Sequence, residues 1–269
     1  MSEKTPLLAL GTSPSSSTSP ETINYLAYGS NLNSATLTGS RRIHPLHITP
    51  VRVPSLTLTF TLAGIPYVEP CFANVRPRLP PPAEQEEREL VGVVYEITRA
   101  DYARLLATEG AGAGYQEFTV ACYPLATGNE IITARTLLCP EEDTTSAGKP
   151  TRAGGQPTNR YLQLLRAGAR ERGLPPSYVG YLDGLRAYSI TRFRQSVGRI
   201  FVLVVWGPLF VLVLLLNHLF ARGGRAPGWV RAFGRGVLGA VWWCYDTVFV
   251  KVFGDGECTE REEPDLSHE

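Results

Sequence analysis

From Ile200 to Phe220 the chain reads Ile-Phe-Val-Leu-Val-Val-Trp-Gly-Pro-Leu-Phe-Val-Leu-Val-Leu-Leu-Leu-Asn-His-Leu-Phe, without one Asp, Glu, Lys or Arg. A helix needs about 20 apolar residues to cross the hydrocarbon core of a bilayer. The run therefore predicts a transmembrane helix over 200–220. Pro208 would kink a soluble helix, but a membrane span tolerates it. Arginines flank the run on both sides (Arg192, Arg194 and Arg199, then Arg222, Arg225, Arg231 and Arg235), so the positive-inside bias sets no orientation. Further on, Val230, Phe233, Val237, Val241, Tyr245, Val248 and Val252 recur at three- and four-residue spacing, with Arg231, Arg235 and Asp246 off that stripe. This pattern predicts an amphipathic or re-entrant membrane-associated segment over 228–253. An acidic tail, 254–269, closes the chain.

What precedes the apolar run has a different character. Leu7–Leu10 is too short for the apolar core of a signal peptide, and Ser13–Pro20 is of low complexity, so residues 1–21 are expected to be a disordered leader. Twenty-six Lys and Arg against 25 Asp and Glu leave a net charge of +1, which gives nucleic acid no global attraction. The five cysteines are odd in number and form no CxxC pair. They predict free thiols in a reducing compartment.

Between the two lies a domain expected over 22–190. Ile23–Tyr28 predicts a first strand. Leu32–Leu37 predicts a short helix capped by Asn31 or Asn33. Alternation of Leu56, Leu58, Phe60 and Leu62 with threonines predicts one half-buried strand over Val51–Leu62. Strands are expected at Pro70–Val75, Leu90–Ile97, Tyr115–Tyr123 and Ile131–Leu138, with solvated loops over Arg78–Arg88 and Glu141–Gln156. Thr98 with Asp101 predicts the start of a helix that ends at Glu109-Gly110. Thr158 predicts the cap of a helix with Tyr161, Leu162, Leu165 and Ala169 inside and Gly173 at its close; a third short helix is expected over Ser177–Tyr188. Strands in succession without βαβ alternation make an α+β fold: a small, mostly antiparallel, barrel-like sheet with flanking helices.

Two stretches carry chemistry. Tyr25-Leu26-Ala27-Tyr28-Gly29-Ser30-Asn31-Leu32 runs from a strand into a tight bend, where glycine lets the chain turn sharply and aims successive N–H groups at one spot. Such donors suit a carboxylate or a developing oxyanion, although the same residues also make ordinary turns. Glu109 ends its helix beside Gly110-Ala111-Gly112-Ala113-Gly114. That glycine run is no dinucleotide loop, because a helix precedes it and a strand follows. Ser30 lies outside any nucleophile elbow, and His44 and His47 lack the companions of a metal site.

The segments around Tyr25–Leu32, Gly92–Tyr123 and Pro157–Tyr188 together resemble the gamma-glutamylcyclotransferases, enzymes that release 5-oxoproline from gamma-glutamyl compounds. The resemblance rests on Tyr28-Gly29-Ser30-Asn31-Leu32, on Gly92-Val93-Val94-Tyr95 leading to Glu109-Gly110, and on Tyr161 followed by Gly168-Ala169 and Gly173-Leu174-Pro175. It covers 22–190 and nothing outside. It implies that Glu109 is the catalytic carboxylate and that Tyr25, Leu26, Ala27, Tyr28, Gly29, Ser30 and Asn31, with Tyr115 and Tyr161, bind substrate. Leu137 stands where some members carry a tyrosine. The physical reading agrees: one carboxyl group near both nitrogens can take the proton of an attacking α-amine and return it to the departing one. Its pKa should be raised toward neutrality. No metal or other cofactor is required. Membrane lipid is the second expected partner, with the catalytic domain facing the cytosol. Two alternatives stay open: an idle domain of this fold that only binds a gamma-glutamyl ligand, or the same chemistry on gamma-glutamyl-amines or a glutathione-derived secondary metabolite.

Overall fold

A computed structural model describes residues 21–79, 87–108, 116–126, 130–139, 151–152, 154–221 and 226–260. The expected leader, apart from residue 21, and parts of both expected solvated loops lie outside them.

Five strands close a barrel: β1 (Thr22–Ala27), β2 (His47–Val53), β5 (Leu90–Thr98), β6 (Gln116–Pro124) and β7 (Ile132–Leu138), in the order β1-β5-β2-β6-β7. All neighbours are antiparallel except β7 and β1, which meet in parallel at Arg135 and Tyr25. There the Thr136 hydroxyl, fully buried, donates to Leu26 O at 3.1 Å. The barrel fills with the aliphatic side chains expected of β-branched strands, among them Leu26, Val51, Val53, Leu90, Val93 and Ile97.

The single strand expected over Val51–Leu62 is two. The chain breaks at Pro54-Ser55. β2 stays in the barrel, while β3 (Leu56–Ile65) leaves it to pair with β4 (Glu69–Pro77) in a separate hairpin. Periodicity runs through the break because both strands bury one face, so alternation alone does not reveal a change of sheet. Asn74 on β4 fastens the hairpin to the barrel: it is fully buried, donates to Cys139 O at 2.8 Å and accepts from Cys139 N–H at 3.0 Å.

Helix α1 (Arg99–Thr108) starts as expected, with Thr98 Oγ1 accepting from Asp101 N–H at 3.1 Å. In place of a short α-helix after β1, a 3-10 turn (Ser30–Leu32) and a π-helical turn (Ala35–Ser40) follow. Helix α2 (Asn159–Glu171) is capped by Thr158, whose Oγ1 accepts from Tyr161 N–H at 3.2 Å. Helix α3 (Pro176–Gly184) stops four residues short of Tyr188. Next comes α4 (Phe193–Phe220), continuous through Pro208, then α5 (Gly228–Cys244), a π-helical turn (Tyr245–Phe249) and α6 (Val250–Phe253).

The last two helical stretches are not independent of the domain. Trp242, Tyr245 and Phe249 form a second core with Val202 of α4 and with Ala63 and Tyr67 at the β3–β4 turn. Residues 254–260 then run back along the barrel domain: Gly256 O accepts from Tyr67 N–H at 2.9 Å, Glu257 O from Gln156 N–H at 3.0 Å, and Thr259 Oγ1 from Ser189 N–H at 2.9 Å.

Candidate active site

β1 delivers the chain to a bend at Tyr28 and Gly29. The 3-10 turn beyond it is closed by Leu32 N–H to Gly29 O at 3.0 Å and Asn33 N–H to Ser30 O at 3.1 Å. The amides of Ser30 and Asn31 precede the first bond of that ladder, as at any helical start. Gly29 has φ −110° and is not in the left-handed region. What requires glycine there is close approach: a β-carbon would lie 3.2 Å from the Tyr161 hydroxyl and 3.4 Å from Ala73 Cβ.

The loop is held from beneath. Tyr95 on β5 donates its hydroxyl to Asn31 O at 3.1 Å. Arg172, just past α2, donates Nε–H to Leu32 O at 3.2 Å and lies 5.4 Å over the Tyr95 ring. Burial pushes the Tyr95 pKa up to about 12, although Arg172 opposes the shift. Helix α2 comes so close that a β-carbon on Gly168 would sit 2.5 Å from Asn33 N and Leu32 C. Its N-terminus is anchored by Glu69 of β4, which accepts from Thr158 Oγ1 at 2.5 Å and pairs with Arg160 at 2.6 Å. An acid at a helix N-terminus is favoured by the macrodipole. Tyr161, in the first turn of α2, is thereby fixed over Gly29; its hydroxyl accepts from Ala73 N–H at 3.2 Å and its ring meets Phe72 edge-on at 5.2 Å.

These contacts enclose one cleft, with about 320 Å³ of empty space including its open mouth. Tyr25, Tyr28, Gly29, Ser30, Asn31, Ala73, Leu137 and Tyr161 line it. Asn31 Nδ2 donates to Tyr25 OH at 2.9 Å, and Tyr28 OH donates to Leu137 O at 2.5 Å. The lining is hydroxyl, amide and apolar, without a charged side chain among these residues. Its size fits a small ligand. Leu26 and Ala27 are fully buried in the core and do not line it. Glu109 and Tyr115 lie outside the described residues. Helix α1 runs to the residue before Glu109 and packs Tyr102 against Tyr25, with ring centroids 6.4 Å apart.

Ala73 carried no signal in the sequence, because only the docking of the β3–β4 hairpin brings it beneath Gly29. Leu137 drew notice only as a departure from a family pattern. Its backbone, which holds Tyr28, is invisible to any side-chain pattern.

With this geometry in view, comparison with known proteins gives a consistent result. Residues 89–182 match the AIG2-like family and residues 192–252 the AclK C-terminal domain. The chain is 34% identical to gamma-glutamyl cyclotransferase gliK of Aspergillus fumigatus over 87% of its own length and 88% of that protein's. It is 32% identical to gamma-glutamyl cyclotransferase aclK of Aspergillus oryzae, over 87% and 89%. Among solved structures, an uncharacterised human protein (TM-score 0.50, 22% identity) and a gamma-glutamyl cyclotransferase (TM-score 0.50, 21% identity) each cover 64% of this chain and 92% of their own, and share the fold. The chain belongs to the gamma-glutamyl cyclotransferase family and is an enzyme of that class. The relationship also reaches beyond residue 190, where the sequence had shown no resemblance, into the C-terminal helices.

Proposed function

We propose that the cleft holds a gamma-glutamyl group curled back on itself, so that its α-amine attacks its own γ-carbonyl. A bond forms between the α-nitrogen and the γ-carbonyl carbon, and the bond from that carbon to the leaving nitrogen breaks. Glu109 takes the proton from the attacking amine and returns it to the departing one, so 5-oxoproline and a free amine or amino acid leave. Because attack is intramolecular, positioning supplies most of the acceleration. The backbone donors of the Tyr28–Asn31 bend receive the α-carboxylate or the oxyanion. The Tyr25, Tyr28 and Tyr161 rings wall the glutamyl chain. The leaving group projects through the open mouth.

The observation that carries this reading is that Tyr25, Tyr28, Gly29, Ser30, Asn31 and Tyr161, drawn from β1, its bend and α2, surround one small cleft. Helix α1 against Tyr25 supports the role given to Glu109, which directly follows it in the chain. The test is 5-oxoproline release from gamma-glutamyl-alanine by the full chain in detergent, beside Glu109→Gln. The variant should fold normally and lose turnover by at least about a hundredfold, the lower range for a general acid–base group. A Gln variant as active as the parent would remove Glu109 from the mechanism.

The reading includes a membrane. Phe193–Phe220 and Gly228–Phe253 are both long and apolar enough to cross one, and only 11% of the first one's most apolar stretch is buried against the chain. A core helix of a soluble protein would be covered. We place these helices in lipid, with the catalytic domain on the cytosolic face.

A further inference from the structure

The C-terminal helices run alongside each other in opposite directions over their whole length. A β-carbon on Gly198 would meet Phe253 at 2.8 Å, Phe201 meets Phe249 edge-on at 5.5 Å, Val213 lies 3.3 Å from the β-carbon position of Gly234, and Phe220 meets Trp229 at 5.3 Å. As residue numbers climb α4 they descend α5 and α6. Both feet of this hairpin are held at the catalytic domain. On the outgoing foot, Val202 packs with Ala63 and Tyr67 of the domain, while Arg192 pairs with Glu260 at 2.7 Å and Gln195 donates to Asp255 O at 2.7 Å, both on the tail that returns along the domain. On the returning foot, Asp246 and Glu257 both bind Arg152, at 2.8 and 2.7 Å, and Trp242 Nε1 donates to Gly64 O at 3.1 Å.

Given the membrane reading proposed above, on which this rests, we infer that the hairpin crosses the bilayer twice. The N-terminal domain and the C-terminal tail share one side, and the far ends of α4 and α5, at Phe220 and Gly228, stand on the other. Four observations support a crossing over a helix pair lying in the surface. An interfacial helix keeps a polar face toward water. From Ile200 to Phe220, α4 has none: Val204, Val211, Leu214 and Leu219 are each more than 60% exposed. Beyond Val202, which packs on the domain, residues 203–220 span about 27 Å at 1.5 Å per residue, close to the thickness of the hydrocarbon core. Toward the far end, α5 carries Arg231 and Arg235, which are too costly to leave at mid-depth but can reach headgroups by extending along the helix. Trp229 beside them suits the same boundary. At the near end, the turn covering the hairpin's foot, Ala63-Gly64-Ile65-Pro66-Tyr67-Val68, is itself uncharged and can rest against the interface. A single-pass tether would put the tail on the far side, and the contacts of residues 254–260 with the catalytic domain forbid that.

The test uses the full chain in sealed membrane vesicles, with Cys244 and Cys258 replaced by serine; Cys71, Cys122 and Cys139 are buried and stay. Ser15→Cys, Gly224→Cys and Ser267→Cys are each probed with a membrane-impermeant maleimide before and after permeabilisation, and an alkaline carbonate wash is run in parallel. Residues 15 and 267 should label from one face and residue 224 only from the other. If residue 224 labels from the same face as both ends while the protein resists the wash, the double crossing is wrong but the membrane reading stands. Labelling of the two ends from opposite faces overturns the hairpin. Release by carbonate overturns the membrane reading and the inference together.

Discussion

The Tyr161 hydroxyl lies 3.2 Å from the point where a β-carbon on Gly29 would stand. One wall of the cleft is therefore set by the absence of a side chain on the opposite wall. Gly29→Ala should push the hydroxyl outward by a few tenths of an ångström and disturb its bond from Ala73 N–H. We expect kcat/KM to fall about tenfold while the melting temperature barely moves, because the displaced group borders open space. Steady-state kinetics beside a thermal melt read both.

Gly168 should behave in the opposite way. Its β-carbon would strike backbone atoms of Leu32 and Asn33 at 2.5 Å, and a backbone cannot rotate aside as a side chain can. Gly168→Ala is expected to cost about 1–3 kcal/mol, the usual range for overpacking. Gly180, inside α3 with nothing within 4 Å of its β-carbon position, is the control. Gly180→Ala should stabilise by about 0.5–1 kcal/mol through helix propensity. Denaturant titration of both variants decides it; equal effects would discredit the close packing of α2 on the bend.

Tyr95 makes stability depend on alkaline pH. Its folded pKa, about 12, lies above its unfolded value near 10. The neutral phenol is thus favoured in the folded state, and its contribution is complete below pH 10. It declines as pH rises from 10 toward 12, where the unfolded chain gives up its proton first. Tyr95→Phe should flatten part of that decline. At neutral pH it should cost about 1 kcal/mol for the lost bond to Asn31 O. Unfolding followed by circular dichroism between pH 8 and 11.5 measures the slope.

Arg152 joins the returning hairpin foot to the domain: it binds Glu257 and Asp246 and lies 4.1 Å over the Trp242 ring. Arg152→Met would leave two carboxylates without their cation in a half-buried setting. Discounted for that solvent access, the loss is about 2 kcal/mol of docking free energy. Limited proteolysis should cut within 254–260 at least several times faster, with turnover of gamma-glutamyl-alanine unchanged, since Arg152 does not line the cleft.

Much of this protein was determined locally. Alternation of apolar residues marks β3 and β6, and apolar, β-branched runs mark β1 and β5; Thr98 and Thr158 mark two helix starts; the uncharged run from Ile200 marks α4. Each signal depends on residues within a few positions of one another, where side-chain period and capping chemistry act directly. The bend at Tyr28–Asn31 and the inner face of α2 with Tyr161 were legible for the same reason.

What tertiary structure alone decided is how distant pieces meet. The Pro54-Ser55 break sends β3 into a second sheet, and that hairpin carries Ala73 under Gly29. Tyr28 is held by the backbone of Leu137, a contact no pattern of side chains encodes. The amphipathic stripe of α5 reads equally as a lipid-facing or a protein-facing surface, because periodicity specifies a face and not its occupant. The return of residues 254–260 to the domain rests on backbone bonds from Tyr67 and Gln156. These choices belong to long-range packing, in which the loop-closure cost is met only once all the partners are in place.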